Sequence, residues 1–302
     1  MTTVEAYAVC RRIAKREAKN FYYSFRVLPE HKRNAMCAVY AFMRRADDIS
    51  DDESLPVAER RGVMAQWLEA WHESRRNDAS ADPVFVALND TQKRFAIPDE
   101  LLEDLVRGTT MDLEPRAQAE EGLQTFANFD ELYGYCYLVA SVVGLVCIRI
   151  FGYTDPRAEK FAEETGIAFQ LTNILRDVKE DVERGRVYVP LDLMDEFGVS
   201  VDRVRMLAGG AAMATNERAM LSTLGANAEE CYGSADRLLP LIDADSRAAL
   251  WVLVTIYHRL LRKISETDSD VFTRRISVST PEKLTILARG VLMTLRNRMV
   301  AS

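Results

Sequence analysis

Apolar positions recur every three to four residues along nearly the whole chain, the spacing of helices that bury one face. Val4 to Lys19 carries this i, i+3, i+4 pattern and predicts a first helix, followed by an aromatic-rich connection, Phe21-Tyr22-Tyr23-Ser24-Phe25. Pro29 opens a long helix, because a proline at a helix start gives up an amide hydrogen that has no partner there. Pro56 opens the next, with Trp67 and Trp71 one turn apart as core residues. Asp82-Pro83 and Pro98-Asp99 punctuate helices over roughly Val84 to Arg94 and Asp99 to Asp112, and the polar segment Pro115 to Gly122 reads as an exposed loop. Asn128 to Phe151 reads as a buried helix. Its Ala140, Ser141 and Gly144 leave room on one side, for close helix packing or for the wall of a cavity. Pro156 begins a central helix that ends near Arg184-Gly185, and Arg186 to Pro190 leaves it extended. Helical patterns resume after Gly198 through Leu239, from Ser246 to about Glu266, and from Pro281 to the end. No strand alternation and no repeat is sustained. The pattern predicts one all-α domain over residues 1–302, roughly ten helices around a central cavity.

Two stretches break the apolar pattern with polar stripes. Gln170, Asn173, Asp177 and Asp181 fall within roughly an 80° arc of the central helix. Ala168, Phe169, Leu171, Ile174 and Leu175 surround them with hydrophobic bulk, so the carboxylates point inward. On the helix after Pro29, Tyr40, Arg44, Asp47 and Asp51 step by four, three and four and form a narrower stripe. Buried carboxylates need a counter-charge, and paired oxygen ligands suit Mg²⁺, which completes its octahedron with water and substrate phosphate. Arg44 adds a planar donor for phosphate and Tyr40 a phenol or an aromatic face. A lone acidic run such as Asp47-Asp48-Ile49-Ser50-Asp51-Asp52-Glu53 is ordinarily a solvated helix end. The two stripes together are far more specific than either.

Composition narrows the classes. A formal charge of -7, from 39 Lys+Arg against 46 Asp+Glu, speaks against a general nucleic-acid surface. With 48% hydrophobic residues, the 302-residue chain can bury a substantial core. Cys10, Cys37, Cys136, Cys147 and Cys231 are scattered, without a C-x-x-C pair, and read as reduced thiols in a cytoplasmic protein. His31, His72 and His258 are too dispersed for a histidine metal site. The amino-terminal segment is polar and amphipathic, unlike a signal peptide, and the apolar run Leu138 to Ile148 is too short to span a bilayer. Peripheral membrane contact stays open.

Asp47-Asp48-Ile49-Ser50-Asp51 and Asn173-Ile174-Leu175-Arg176-Asp177-Val178-Lys179-Glu180-Asp181 resemble the two aspartate-rich motifs of the squalene and phytoene synthase family, the head-to-head prenyl synthases. Phe21 to Pro29, Tyr135-Cys136-Tyr137, Val139 to Gly144, Arg186-Val187-Tyr188 and Val271 to Arg275 extend the similarity over nearly the whole chain. The resemblance implies an all-α isoprenoid synthase fold in which two or three Mg²⁺ bridge both motifs and prenyl diphosphates. By the same resemblance, Asp47, Asp51, Asn173, Asp177 and Asp181 are metal ligands or their support. Arg44, Arg186, Tyr188, Arg275 and Lys19 would contact diphosphate. Tyr40, Phe21, Phe25, Gln170 and Tyr257 would line the region where a carbocation forms. Arg176, Arg274 and Lys283 are nearby basic positions that an ordinary surface ion pair would equally explain.

Within the family, Val139 to Gly144 and Ile150-Phe151-Gly152-Tyr153 look most like bacterial presqualene diphosphate synthases of hopanoid pathways. Two farnesyl diphosphates, NADPH not required, are then the expected substrates, and downstream isoprenoid-pathway enzymes the expected partners. Ser141, where many carotenoid members carry glycine, is a departure from the phytoene synthase alternative, which condenses two geranylgeranyl diphosphates. A full NADPH-dependent squalene synthase is a further alternative. A catalytically silent prenyl-lipid-binding protein would have damaged aspartate stripes, and a nucleotide phosphotransferase would have a glycine-rich phosphate loop. Neither feature is present.

Overall fold

The structure, a computed structural model, describes residues 1–77, 80–111 and 123–301, with the side chains of residues 19–21 and 296–301 outside that description. The expected Pro115 to Gly122 loop lies outside the described residues. The fold is all-α, as the pattern predicts.

Helix α1 (Thr3–Glu17) starts at a capping box, in which Thr2 and Glu5 satisfy each other's backbone amides. The aromatic segment that follows is helical, not a connection: α2 (Lys19–Phe25) begins directly after Ala18, which keeps right-handed helical angles. Neither glycine nor proline stands there to stop the chain. After α3 (Glu30–Ser50) come α4 (Val57–Arg76), α5 (Pro83–Phe95) and α6 (Asp99–Thr110). Prolines at the N-caps of α3, α4 and α6, and at the first position of α5, set these starts. Trp71 is fully buried and Trp67 stacks on Phe42 at 4.6 Å between ring centres, which makes both core residues.

The predicted buried helix is α7 (Phe129–Cys136) and α8 (Val142–Phe151) joined by a π-helical turn, Tyr137–Ser141. The turn is gripped from two sides. A Cβ at Gly108 of α6 would stand 2.7 Å from the Leu138 carbonyl oxygen, and one at Gly166 would stand 2.6 Å from Ser141 Cα. The Ser141 hydroxyl donates to the Glu163 carbonyl at 2.7 Å. Widening by one residue rotates the following positions, so that Val139, Ala140, Val143 and Gly144 face the central cavity. A Cβ at Gly144 would stand 3.0 Å from the Ala162 carbonyl oxygen, so the small residues serve both close packing and the cavity wall.

The central helix α9 (Arg157–Glu183) packs against the π turn, α8, α12 and α13. Ile167, Ala168, Leu171, Ile174 and Leu175 are all buried. The extended piece after it pairs with residue 124: the Gln124 amide donates to the Gly185 carbonyl at 2.9 Å and the Val187 amide to the Gln124 carbonyl at 2.8 Å. Short helices α10 (Leu191–Glu196) and α11 (Val201–Ala208) lead to α12 (Thr215–Leu238), α13 (Arg247–Glu266) and α14 (Thr280–Ala301). One apolar cluster runs from Ala6 to Leu287. The run Phe129–Phe151 is long and apolar enough to cross a membrane by composition, and half of its most apolar window is buried inside this fold.

Candidate active site

Both aspartate stripes stand at the carboxy-terminal ends of their helices. Asp47 lies one turn before the end of α3 and Asp51 is its C-cap, while Asp181 lies within the last turn of α9. Helix carbonyls make that end negative, so these carboxylates oppose the helix dipole as well as each other. Burial and the neighbouring Asp51 push the Asp47 carboxyl up to about 6 against the pull of Arg44. Burial and Asp177 push Asp181 up to about 7 against the pull of Arg186 and Arg184. Ser50 fixes the end of α3 to α6 by donating to the Thr109 carbonyl at 2.8 Å, and Arg60 caps the Ser50 carbonyl at 2.8 Å.

The stripes meet through the extended segment after α9. Arg186 and Arg184 line one concavity with Asp47 and Asp51, and Arg186 lines the neighbouring one with Asp181. Asp177 is held differently: Arg176 Nε donates to its Oδ1 at 2.8 Å, and Arg275 Nη2 donates to the same oxygen at 2.7 Å. Arg275 also lies 3.4 Å from Glu180, so its guanidinium ties its segment to α9. Lys283 stands near Arg176, and burial together with that like charge lowers its pKa. Arg44 pairs with Asp48 at 2.5 Å, one turn on along its own helix. Arg274 is exposed in the segment that carries Arg275.

Beside this polar end opens an apolar cavity of about 230 Å³. Tyr40, Gln170, Asn173 and Tyr257 form its polar rim, and Phe25, Met36, Phe151, Leu238 and Leu250 contribute to its apolar lining. Asn173 and Ala162 both line it and are eleven residues apart on α9, so it extends about 16 Å along that helix. Phe169 stacks on Tyr257 at 4.5 Å, an aromatic face at the rim. Tyr257 is buried beside Arg176 and Asn173, and desolvation raises its pKa. Tyr188 is buried too: the Tyr135 hydroxyl donates to the Tyr188 hydroxyl at 3.1 Å, and both rings pack on Phe126. It therefore braces the Arg186 segment from behind. The Lys19 and Phe21 side chains fall outside the described residues, although α2 brings the neighbouring Phe25 to the cavity.

Three residues here escaped the sequence reading. Arg184 had a signal in its place beside Gly185 and Arg186, directly after the second stripe. Tyr135 stood in a string that carries the resemblance but was given no role, and Phe169 had no signal, because a buried aromatic in a helical pattern reads as core.

The donor set fits a hard divalent cation. The buried Asn173 Oδ1 has no hydrogen-bond donor, and its amide nitrogen donates to Gln170 at 3.4 Å. A buried acceptor without a donor is costly unless a ligand satisfies it. Among the described residues, no group of three or more Asp, Glu, His or Cys side chains forms a cation cage by itself. Paired carboxylates that leave most of the shell to water and phosphate are how Mg²⁺ is ordinarily held.

With this geometry in hand, residues 14–282 match the family described as squalene/phytoene synthase. The chain belongs to the squalene/phytoene synthase family. Members of this family are prenyltransferases that condense prenyl diphosphates head to head. Phytoene synthase of Mycobacterium bovis is 38% identical over 295 residues, covering 96% of this chain and 92% of its own length. A crystal structure of a dehydrosqualene synthase superposes with a TM-score of 0.82 at 29% identity, covering 95% of this chain and 96% of that one. Squalene synthase HpnC from Alicyclobacillus acidocaldarius superposes with a TM-score of 0.78 at 23% identity, over 88% of this chain and 95% of its own, and shares the fold. The sequence relatives thus shift the balance from the presqualene reading towards its phytoene alternative.

Proposed function

We propose that this squalene/phytoene synthase condenses two geranylgeranyl diphosphates to phytoene. The observation that carries the chemistry is that two aspartate-bearing helix ends, linked through the Arg186 segment, stand beside an apolar cavity. Bound Mg²⁺ would neutralise the charge that develops on the departing diphosphate. Asp47 and Asp51 from α3, with Asn173 and Asp181 from α9, are the residues to hold it, and Arg184 and Arg186 lie where a diphosphate would meet them. Asp177, held by Arg176 and Arg275, positions those guanidinium groups at the α9 end.

Carbon 1 of one donor loses diphosphate and is attacked by the carbon 2–carbon 3 double bond of the other. Loss of a proton closes a cyclopropane. Loss of the second diphosphate and a second proton gives the hydrocarbon, with no reductant consumed. The apolar lining excludes water that would quench the cation, and the stacked Phe169 and Tyr257 rings offer π faces to positive charge.

Support for the C20 donor comes from the phytoene synthase relatives, and Ser141 does not count against it. Its hydroxyl is committed to the Glu163 carbonyl, away from the cavity lining, so serine in place of glycine leaves the tail site unchanged. A second reading, two farnesyl diphosphates to presqualene diphosphate, is supported by the Val139 to Gly144 and Ile150 to Tyr153 strings and by the dehydrosqualene synthase likeness. Competition between the two donors at equal concentration with Mg²⁺ separates them. We expect kcat/KM to favour the C20 donor by at least about tenfold, the low end of what a single methylene is worth in an apolar pocket; preference for the C15 donor would establish the second reading instead.

A further inference from the structure

Helix α14 has two apolar faces, and only one of them is covered. Ile286, Leu287, Gly290 and Met293 turn inward, and Ile286 joins Val252 and Ile256 of α13 and Tyr23 of α2 in a small cluster. Contact there is close enough that a Cβ at Gly290 would overlap Val252. On the opposite side Leu284, Val291, Leu292 and Leu295 are 49%, 42%, 64% and 49% exposed. With exposed Ala288 they occupy an arc of about 100° over three turns. Most of the other large exposed apolar side chains are scattered singly, as on any protein surface.

Charge says what this face meets. The chain carries -7 overall, yet from Lys283 to Ser302 it has Lys283, Arg289, Arg296 and Arg298 and no Asp or Glu. By helical register Arg289 borders one edge of the exposed stripe. A basic helix with a continuous exposed apolar face is built to lie in the interface of an anionic bilayer, its apolar stripe among the acyl chains and its arginines among the headgroups. Position in the fold agrees: α13 contributes Leu253 to the cavity wall and Val252 to the α14 contact. Two packed helices, α14 and α13, therefore stand between the lipid-like stripe and the apolar cavity.

We infer that α14 is a membrane-docking helix that seats this protein on an anionic lipid surface through Leu284, Val291, Leu292 and Leu295. The surface follows from α14 itself and does not depend on which prenyl donor the site takes. The test is flotation of the full chain with vesicles of phosphatidylcholine alone or with about one-third phosphatidylglycerol. The same measurement is made on the double variant Leu292→Glu, Leu295→Glu and on Arg289→Gln, with helical content checked by circular dichroism. Wild type floats with the anionic vesicles, and less so in high salt. The double variant loses at least about tenfold in partitioning, Arg289→Gln loses a smaller factor, and both keep wild-type turnover on detergent-dispersed substrate. Wild type that fails to float, or a double variant that floats as well, overturns the inference. So does a wild-type dimer that the double variant converts to monomer without vesicle binding, since the face would then belong to a second copy. Absence of turnover in every form bears on the proposed reaction and leaves the flotation result intact.

Discussion

Asp181 holds its proton to about pH 7 because burial and Asp177 penalise its charged form. A carboxyl whose folded pKa lies above its unfolded value favours the folded state when protonated. That contribution is complete below about pH 4 and is lost as the pH rises through about 7. Asp181→Asn cannot ionise. Without divalent cation it is therefore expected to melt at least about 2 °C above wild type at pH 8, with the gap closing towards pH 4; an unchanged or lower melting temperature at pH 8 would contradict the assigned burial. Asp47→Asn should lower turnover by roughly a hundredfold or more while circular dichroism stays at the wild-type level, as expected for a group that acts on charge in the transition state. Near-wild-type turnover would remove Asp47 from the site. At this scale the sequence spacing picked out the stripes, since carboxylates amid apolar residues stand out. It missed that Asp177 is held by Arg176 and Arg275, because Arg275 lies 98 positions away along the chain.

At the scale of elements, the helix starts were legible wherever proline or aspartate marks them, as at Pro29, Pro56, Asp82 and Pro98. Two features carried no such mark. Segment Lys19–Phe25 is helical although its aromatics resemble a connection, and Tyr137–Ser141 is a π turn because Gly108 and Gly166 press on it from helices distant in sequence. The first continues because no glycine or proline interrupts it, and the second is set by tertiary contact, not by local propensity. Helix α14 is fixed at its start by Glu282, which accepts from Lys263 at 2.6 Å and from the Ser279 amide and hydroxyl at 2.9 and 2.8 Å. These donors hold its carboxyl down to about 2. A depressed carboxylate stabilises above its unfolded pKa and loses that contribution as the pH falls through its folded one. Glu282→Gln should therefore cost about 1 kcal/mol or less at pH 7, being partly solvent-screened, and the difference from wild type should shrink below about pH 4. Urea midpoints across that range check it; a deficit that persists at low pH would mean Glu282 acts by packing.

For the whole molecule, the cavity requires that α3, α8 and α13 keep their places around it. Lys32 serves this directly from a buried position, donating to the Phe151 carbonyl at 2.8 Å, to Asp245 at 2.7 Å and to Ser246 at 3.1 Å. Lys32→Met should cost about 2–3 kcal/mol in urea unfolding, the value of charge-assisted hydrogen bonds lost from a buried donor; a loss below about half a kcal/mol would make the tie redundant. No sequence pattern announced it, since a lysine in the first turns of a helix reads as solvated. The all-α architecture was legible from periodicity and the family from the paired motifs, but the depth and floor of the cavity depend on side chains from several helices meeting in space. The central claim is that this site carries two donors through to a hydrocarbon. Its most direct measurement is the ratio of diphosphate released to lipid formed when the purified protein turns over geranylgeranyl diphosphate with Mg²⁺ and no reductant. Two diphosphates per molecule of phytoene is the expected result, whereas one diphosphate per lipid that itself remains a diphosphate, or no carbon–carbon bond at all, would contradict it.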